Sequence, residues 1–387
     1  MSAAYIVDAV RTAGGRRNGR LSGVHANLLG ATVLDALLVR TGVDSSAIED
    51  VVLGCVTQAG EQSLNVARNI VLASNLPTSV PAVSIDRQCG SSQQAVQFAA
   101  QAVISGTQDL VIAAGVESMT RVQMGSATLA DTGVKPRPDS VLEKFGVKSF
   151  SQFVGAEAIA RKYEFDRQSL ERYAVESHKK ATAATNNGAF DREIVPVSVT
   201  LSDGSSVVHD EDEGIREDAS VEALSDLKTL TDDGLLTAGT SSQICDGASA
   251  ILVASEAALK THGLIPIGRI VQMGVTGGDP VIMLEEPLFA TEKVLDKAGM
   301  TLANIDLYEV NEAFAPIPMA WLKHLDADES KLNVNGGAIA LGHPLGATGA
   351  KLMATLIHAL KARRAKYGLQ TMCEGGGMAN VTIVEAL

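Results

Sequence analysis

Two short apolar runs of strand length lie at residues 51–55 and 109–115, and each ends in a glycine-bearing turn. A segment with helical character precedes each run. Strand-length apolar runs that alternate with helices are typical of β-α-β units, whose parallel strands are buried on both faces. The pattern therefore predicts an α/β fold.

The same order of elements recurs in the second half of the chain. Residues 42–52 and residues 299–309 both predict a helix end, a turn, a short capping segment and then a strand. Later in each copy a turn opens a helix, after Cys89 in the first copy and after His343 in the second. A single match of this kind is weak, because β-α-β units share their turn residues. Several features in one order predict two similar halves, with Cys89 and His343 at comparable strand-to-helix turns.

The segment between the halves has a different character. It contains charged helices at residues 166–186, a strand-like stretch at 194–199 and an acidic loop at 210–213. We interpret it as an insertion that covers one face of the paired halves, where a lid or a substrate-handling region would lie. The predicted division is an N-terminal half over residues 1–118, an inserted loop domain over 119–245, whose last part returns to the N-terminal half, and a C-terminal half over 246–387.

Composition supports the α/β prediction and excludes several classes of function. The chain has 387 residues, 36 of them glycine, and 4% are aromatic, as in parallel sheets covered by small-residue helices. A net charge of −13 argues against nucleic-acid binding. Basic runs at residues 16–20 and 361–366 are interpreted as solvated faces. Because the chain shows neither a signal-peptide pattern nor an apolar run of membrane-spanning length, we expect a cytoplasmic protein with no membrane partner.

The four cysteines are candidates for chemistry rather than for cross-links. Cys55, Cys89, Cys245 and Cys373 lie far apart, without a CxxC motif or a neighbouring histidine pair. This spacing argues against structural zinc, and we predict no metal site. In a reducing compartment all four should be free thiols.

Cys89 lies in a turn of polar and small residues that opens a helix. The positive end of a helix dipole and free backbone amides lower the pKa of a nearby thiol and favour the thiolate, which suits a nucleophile. A buried structural cysteine is the alternative interpretation of this turn.

His343 lies in a glycine-rich loop, and Pro344 follows it directly. Glycines let a backbone approach another group closely, and an imidazole held in such a loop is suited to take a thiol proton near neutral pH. Tight packing is an alternative explanation of the same glycines.

Two further segments carry candidate chemistry. Cys373 precedes three glycines at residues 375–377, whose backbone amides can donate to an oxyanion, although a flexible turn is the alternative. Asn311 follows an apolar strand, so its side chain emerges at the carboxyl end of that strand, where α/β sheets gather their active sites. Taken alone, Asn311 would be an ordinary cap.

Together and in this order, these segments resemble the thiolase family. They are Gln88-Cys89, Asn311-Glu312-Ala313-Phe314-Ala315, Gly342-His343-Pro344-Leu345-Gly346-Ala347-Thr348-Gly349, and Cys373 followed by Gly375-Gly376-Gly377. The histidine segment is the most specific, and the resemblance covers essentially the whole chain. It implies a thiolase fold, in which two βαβαβαββ halves form a five-layer α/β/α/β/α core with an inserted loop domain. It also implies a homodimer or a homotetramer.

The resemblance implies an acyltransferase that uses coenzyme A (CoA) as a substrate and holds no permanent cofactor. In the degradative direction His343 would deprotonate Cys89, whose thiolate attacks the 3-keto carbon of a 3-ketoacyl-CoA, and Cys373 would protonate the departing acetyl-CoA carbanion. Free CoA then takes the acyl group from Cys89. One implied oxyanion hole combines His343 with a water held by Asn311, and the other uses the amides of Cys89 and Gly375.

Contacts to the substrate are also implied by the resemblance. Ser242 aligns with a serine that touches the pantetheine arm, and Arg216 aligns with a basic residue near the nucleotide. The implied tunnel walls are Ala238, Met283, Ala313 and Phe314. Met283 and Phe314 are also explained as ordinary core residues.

Several positions depart from the common family pattern. Residues 90–92 are Gly-Ser-Ser where Ser-Ser-Gly is usual, and residues 284–287 are Leu-Glu-Glu-Pro where Gly-x-Gly-Pro is usual. Residues 151–153 are Ser-Gln-Phe in place of the His-Met pair of short-chain biosynthetic enzymes. With Cys373-Glu374, the changes at 90–92 and 151–153 resemble an actinobacterial branch that includes steroid-degradation thiolases.

We therefore predict thiolytic cleavage of 3-ketoacyl-CoA in fatty acid or steroid degradation, with synthesis of acetoacetyl-CoA as the alternative within the same chemistry. A non-catalytic CoA-ester binding protein on a thiolase fold is the alternative of another class. It is disfavoured because a binding protein needs no proton-transfer pair. A Cys/His hydrolase is disfavoured because Cys373 would have no role in it.

Overall fold

The computed structural model describes residues 3–128, 132–201 and 203–387. Its strands are β1 Tyr5–Thr12, β2 Gly15–Arg16, β3 Asp50–Gly54, β4 Ala82–Ile85, β5 Leu110–Ser118, β6 Ile194–Val195, β7 Val197–Thr200, β8 Ser206–His209, β9 Cys245–Ala254, β10 Gly268–Gly277, β11 Leu307–Val310, β12 Tyr367–Glu374 and β13 Met378–Ala386. Its helices are α1 Ala26–Thr41, α2 Val66–Ala73, α3 Ser91–Ser105, α4 Asp139–Lys144, α5 Gln152–Lys162, α6 Arg167–Asn186, α7 Val221–Ser225, α8 Glu256–His262, α9 Glu286–Ala298, α10 Pro316–Leu325, α11 Ala338–Leu341 and α12 Thr348–Arg363.

Most of the strands follow one hydrogen-bonded path, in the order β11-β12-β13-β10-β1-β9-β5-β3-β4. The path divides between β10 and β1, where the paired residues are Tyr5 with Arg269 and Ile6 with Gly268. By contrast, β5 pairs with β9 along its whole length. The strands therefore form two sheets that meet at a short junction.

The two sheets repeat one succession of elements. The first half runs β1-α1-β3-α2-β4-α3-β5-β9, and the second runs β10-α9-β11-α10-α12-β12-β13. The counterpart of β4 in the second half is reduced to a bridge between Tyr308 and Leu332. The predicted repeat is confirmed, and α3 and α12 occupy equivalent positions, each directly after one of the two candidate turns.

Three buried apolar clusters define the layers. One cluster packs α1 and α2 on the outer face of the first sheet, and another packs α9 and α10 on the outer face of the second sheet. The third packs α3 and α12 between the two sheets. The order is helix, sheet, helix, sheet, helix, which confirms the predicted α/β/α/β/α core.

Helices α3 and α12 cross in the central layer with their backbones in close contact. A Cβ atom built on Gly349 would lie 2.1 Å from the backbone nitrogen of Gln93. At the same crossing the Ala350 amide donates to Ser92 Oγ at 2.9 Å. Glycine, which has no Cβ, permits this approach. The crossing therefore fixes the first turns of the two helices next to each other.

Buried glutamines join α3 to the second sheet. Gln93 Nε2 donates to the Gln370 carbonyl at 3.2 Å and to Thr382 Oγ1 at 3.0 Å. Gln97 Nε2 donates to the Val381 carbonyl at 3.0 Å. Because an unpaired buried amide is costly, these bonds favour one position of the helix on the sheet.

In the inserted segment the predicted helix is observed nearly as predicted, whereas the predicted strand is interrupted. Helix α6 covers residues 167–186, and Asp166 caps it by accepting from the Ser169 amide at 2.7 Å. The strand-like stretch at 194–199 is divided into β6 and β7. Pro196 separates them because proline has no N–H to donate to a neighbouring strand.

The acidic loop at 210–213 belongs to a buried charge network. Asp212 accepts from both terminal nitrogens of Arg11, at 2.8 and 2.9 Å, and from the Gly14 amide at 2.6 Å. Arg11 Nε donates to Glu193 at 2.6 Å. Arg11, Asp212 and Glu193 are all buried, so loss of one partner would leave an uncompensated charge in the interior. The loop thus anchors the inserted segment to β1.

The boundaries at residues 118 and 245 remain a prediction about domains. Strand β9, which begins at Cys245, lies between β1 and β5 and is therefore part of the first sheet. Within the described ranges, no helix is long and apolar enough to cross a membrane.

We expect Gly349→Ala to lower the free energy of unfolding, because the new methyl group would overlap the Gln93 backbone. Overpacking of this kind typically costs about 1–3 kcal/mol. Urea denaturation followed by circular dichroism would measure the change. Gly277→Ala is the matched control, since a Cβ there lies 4.0 Å from its nearest neighbour. Equal stability of the two variants would contradict the close crossing.

Candidate active site

The turn that carries Cys89 has an unusual backbone. Gln88 has a φ of +48°, in the left-handed region that residues other than glycine seldom adopt. Its amide donates to Asp86 Oδ1 at 2.6 Å, and its carbonyl accepts from Ser91 Oγ at 2.6 Å. These bonds hold Cys89 one residue before Gly90, the N-cap of α3. Such strained positions cluster at functional sites.

The pKa of the Cys89 thiol is raised to about 12. Burial of the thiol is the main cause, and the carboxyl groups of Glu374, Glu117 and Asp86 add to it when they are ionised. The lowered pKa expected from the helix N-terminus is therefore wrong for this structure. A thiolate at Cys89 needs a proton acceptor close by.

Hydrogen bonds determine which nitrogen of His343 carries the proton. Thr348 Oγ1 lies 2.9 Å from the Pro344 carbonyl, to which it donates its one hydrogen. It must therefore accept from His343 Nδ1, at 2.6 Å. Asn311 Nδ2 lies 3.4 Å from Nε2 and donates to it. The proton is on Nδ1, and Nε2 carries the lone pair that can accept another proton.

His343 is neutral at neutral pH. Burial lowers its pKa to about 3, and the positive charge of Lys351 contributes. Lys351 Nζ donates to the carbonyls of Leu341 and Gly342, at 2.6 and 3.2 Å. Lys351 therefore shapes the loop before His343, and it adds to the burial that keeps the imidazole unprotonated.

Cys373 is fully buried in β12, opposite Ala379 of β13. Burial raises the pKa of its thiol well above the usual range, and negative charge on Cys89 raises it further. The two thiols are thus close enough to interact electrostatically, and ionisation of one disfavours ionisation of the other.

The glycines after Cys373 form a tight turn that contacts the Cys89 turn. Gly376 and Gly377 have φ values of +90° and +80°, as the sequence allowed. A Cβ atom on Gly375 would lie 2.8 Å from Gln88 Oε1. The glycine run is therefore held against the candidate nucleophile's turn.

Two buried carboxylates that the sequence analysis did not select hold the site loops. Glu312 accepts from Tyr173 Oη, Ser177 Oγ, Asn333 Nδ2 and the Ile339 amide, at 2.7–3.1 Å. Glu117 accepts from the amides of Val56, Thr57 and Gly346 and from Gln62 Nε2, at 2.9–3.0 Å. Glu312 directly follows Asn311, so its hydrogen bonds hold the backbone next to Asn311 in place. The hydrogen bonds of Glu117 hold the loop after His343. Their signal in the sequence is an acidic residue at or just past the end of a buried strand.

A cavity of about 480 Å³ opens at His343. Five of the predicted substrate contacts line it, namely Arg216, Ala238, Ser242, Ala313 and Phe314. It lies under the inserted segment, which contributes Gln152 and Phe153 to its wall. A larger groove of about 990 Å³ elsewhere on the chain contains none of the predicted site residues.

Arg16 and Arg17 are exposed, as predicted for a solvated face, and they also line this cavity. The short strand β2 pairs Arg16 with Cys245 at the start of β9, and this pairing brings the basic run to the cavity. Two cations at the opening of a cavity suit an anionic ligand.

The remaining predicted residues do not line the cavity. Cys89, Cys373, Asn311 and Gly375 lie in the turns and strand ends described above. Met283 is 5% exposed and belongs to the apolar cluster that also contains Phe314. Direct contact of Met283 with a ligand therefore remains a prediction.

The chain matches two family domains, thiolase N-terminal over residues 4–257 and thiolase C-terminal over residues 264–386. It is 49% identical over 392 residues to the steroid 3-ketoacyl-CoA thiolase FadA6 of Mycobacterium tuberculosis, covering 100% of this chain and 95% of that protein. The crystal structure of Bacillus anthracis acetyl-CoA acetyltransferase is similar, with a TM-score of 0.91, 35% identity and coverage of 100% and 99%. The crystal structure of human mitochondrial 3-ketoacyl-CoA thiolase is also similar, with a TM-score of 0.89 and 34% identity, and the match covers 100% of this chain and 99% of that chain. The chain belongs to the thiolase family and is an acyltransferase.

We expect Thr348→Val to lower the catalytic rate about 10–100-fold, the effect known for removing the hydrogen-bond partner that orients a metal-binding histidine. Without the Thr348 oxygen, Nδ1 loses its acceptor and Nε2 is no longer kept free of a proton. Steady-state assays with acetoacetyl-CoA and CoA would measure the loss. Thr348→Ser keeps the oxygen and should retain most of the activity. Similar activity in both variants would argue against control of the tautomer by Thr348.

Proposed function

We propose that the chain cleaves 3-ketoacyl-CoA by thiolysis, giving acetyl-CoA and a shortened acyl-CoA, in fatty acid or steroid degradation. The main supporting observation is the lone pair on His343 Nε2, which Thr348 and Asn311 orient, together with two thiols, Cys89 and Cys373, that interact electrostatically. The 49% identity to a protein named as a steroid 3-ketoacyl-CoA thiolase supports the substrate class.

In the first half-reaction His343 Nε2 takes the proton from Cys89 Sγ. The thiolate attacks the 3-keto carbon of the substrate, and a carbon–sulfur bond forms. The bond between C2 and C3 then breaks, and its electron pair goes to C2 of the leaving acetyl-CoA. Cys373 Sγ–H gives its proton to that carbon, which leaves Cys89 acylated and Cys373 as a thiolate.

In the second half-reaction the Cys373 thiolate takes the proton of free CoA. The CoA thiolate attacks the acyl carbon, the bond to Cys89 Sγ breaks, and the acyl-CoA product forms. The imidazolium of His343 returns its proton to Cys89. A thioester exchanges readily with a thiol, so Cys89 carries the acyl group without trapping it.

Two sets of donors would stabilise the oxyanions of these steps. One is His343 with a water held by Asn311, and the side-chain oxygen of Asn311 has no partner among the described residues. The other set is the backbone amides of Cys89 and Gly375. The contact between the Cys89 turn and the glycine turn after Cys373 supports this pair. Loss of one such donor typically costs about 10²–10³ in rate.

The cavity at His343 is the proposed path of the CoA ester. Arg216 would contact the nucleotide and Ser242 the pantetheine arm, and Arg16 and Arg17 add positive charge at the same cavity. Ala238, Ala313 and Phe314 supply apolar wall. A homodimer or homotetramer and a cytoplasmic location also remain proposals.

We expect Cys89→Ala to abolish covalent acylation, because the acyl carrier is lost. Cys373→Ser should keep some acylation but lose cleavage of the carbon–carbon bond, because a hydroxyl is a far poorer acid. Mass spectrometry after incubation with acetyl-CoA would measure acylation, and steady-state assays would measure cleavage. Cys55→Ser is a control, since that thiol has no proposed role. An unmodified Cys89 in the wild-type protein would favour the non-catalytic binding protein.

Synthesis of acetoacetyl-CoA is the second candidate function, favoured by the likeness to an enzyme named as an acetyl-CoA acetyltransferase. The two functions differ in the acyl group that the site accepts. The Phe153 ring packs edge-on against Phe314, with centroids 5.7 Å apart, and Phe153 is 38% exposed. This pair is the most direct determinant of acyl size that the cavity offers.

We expect Phe153→Ala to raise kcat/KM for bulky 3-ketoacyl-CoA relative to acetoacetyl-CoA by about 10-fold, since loss of an aromatic ring enlarges the wall and pocket contacts discriminate on this scale. A panel of 3-ketoacyl-CoA esters of increasing size would measure the ratio. Phe153→Leu, which keeps more of the volume, should have a smaller effect. Wild-type activity confined to acetoacetyl-CoA would overturn the degradative proposal in favour of synthesis.

A further inference from the structure

Glu374 is a buried carboxyl group with no assigned role. It follows Cys373 at the end of β12 and is 0% exposed. Among the residues that the structure describes, neither of its carboxyl oxygens has a hydrogen-bond partner. Buried carboxyl groups are normally paired, as Glu117 and Glu312 are, so Glu374 needs a separate explanation.

The carboxyl of Glu374 lies against the backbone that begins α3. A Cβ atom built on Gly90 would lie 2.0 Å from Glu374 Oε1 and 2.7 Å from its Cδ. Asn380 Nδ2 donates to the Gly90 carbonyl at 3.0 Å and closes the other side of this contact. Gly90 therefore leaves the space that the carboxyl fills, one residue from Cys89.

We propose that Glu374 is a positioning residue for Cys89: held against Gly90, it permits the thiolate to form while it is neutral, and its ionisation slows the reaction of the nucleophile. This inference rests on the proposed role of Cys89 as the nucleophile. In this role Glu374 controls the pH range in which Cys89 reacts, and it does not contact the substrate.

The charged and titratable groups around Glu374 support this role. Asp86 and Arg87 face it from the turn before α3, and the thiols of Cys89 and Cys373 are its other titratable neighbours. From β13 the neighbour is the neutral amide of Asn380. Burial raises the pKa of Glu374 to about 8, against a smaller lowering by Arg87. At neutral pH the carboxyl is therefore mainly protonated.

Two groups that can carry a negative charge, the buried Glu374 carboxyl and the half-buried Cys89 thiol, lie at the start of α3. Glu374 is the largest charge that raises the pKa of Cys89, ahead of Glu117 and Asp86. Like charges that share a buried site cannot both ionise readily, so one pKa rises when the other group is charged. Below pH 8, Glu374 is mainly neutral and does not oppose ionisation of Cys89. Above pH 8, the Glu374 carboxylate carries the negative charge and disfavours the Cys89 thiolate.

The test is the pH dependence of Cys89 alkylation by iodoacetamide, followed by mass spectrometry of the Cys89 peptide. A thiol well below its pKa reacts about tenfold faster for each pH unit, because the thiolate is the reactive form. We expect wild type and Glu374→Gln to react within about twofold of each other near pH 6.5, where the wild-type carboxyl is neutral. By about pH 9.5, Glu374→Gln should react about tenfold faster, equivalent to one pKa unit.

Controls separate charge from packing. Glu256→Gln removes an exposed carboxylate on α8 and should match the wild type at every pH. Glu374→Asp keeps the ionisable group and should keep the flattening of the profile above pH 8. If Glu374→Gln does not fold, Glu374→Met is the neutral replacement. A ratio of variant to wild type that does not change with pH, as a packing effect would give, overturns the proposal.

Failure of this proposal is distinguishable from failure of the proposed function. Alkylation uses no CoA ester, so parallel profiles overturn the role of Glu374 even when Cys89 is acylated by acetyl-CoA. A missing acetyl adduct overturns the thiolase proposal even when the alkylation profiles diverge.

Discussion

The backbone contact between α3 and α12 at Gly349 is the constraint on which the rest of the structure depends. Each helix begins just after a candidate catalytic turn, so a contact between their first turns brings the Cys89 turn and the His343 loop towards each other from opposite halves of the chain. The same contact sets the thickness of the central layer. Within that layer the glutamines of α3 donate hydrogen bonds to the second sheet. These bonds fix the position of α3 relative to that sheet.

Much of the fold could be predicted from local patterns. The apolar runs became β3 and β5, and the repeat of turns and strands gave two halves of the same order. These features depend on residues close together in the sequence. The four motif segments were equally readable, because each lies within a single turn or strand end.

Other properties of the site depend on residues that are distant in the sequence. The pKa of Cys89 is set by burial and by carboxylates from β5, β12 and the preceding turn, and the helix dipole alone gave the wrong direction. Arg16 and Arg17 line the cavity because β2 pairs with β9. The tautomer of His343 depends on where Thr348 donates its hydrogen. No local pattern encodes such contacts.

The contact between Gly90 and Glu374 also has a consequence for evolution. Position 90 is one of those at which the chain departs from the common thiolase pattern, and in space it is paired with position 374. A side chain introduced at position 90 collides with the carboxyl, whereas a smaller residue at position 374 leaves a void beside glycine. Substitutions at the two positions are therefore coupled, because a side chain at position 90 requires the Glu374 carboxyl either to move or to be replaced.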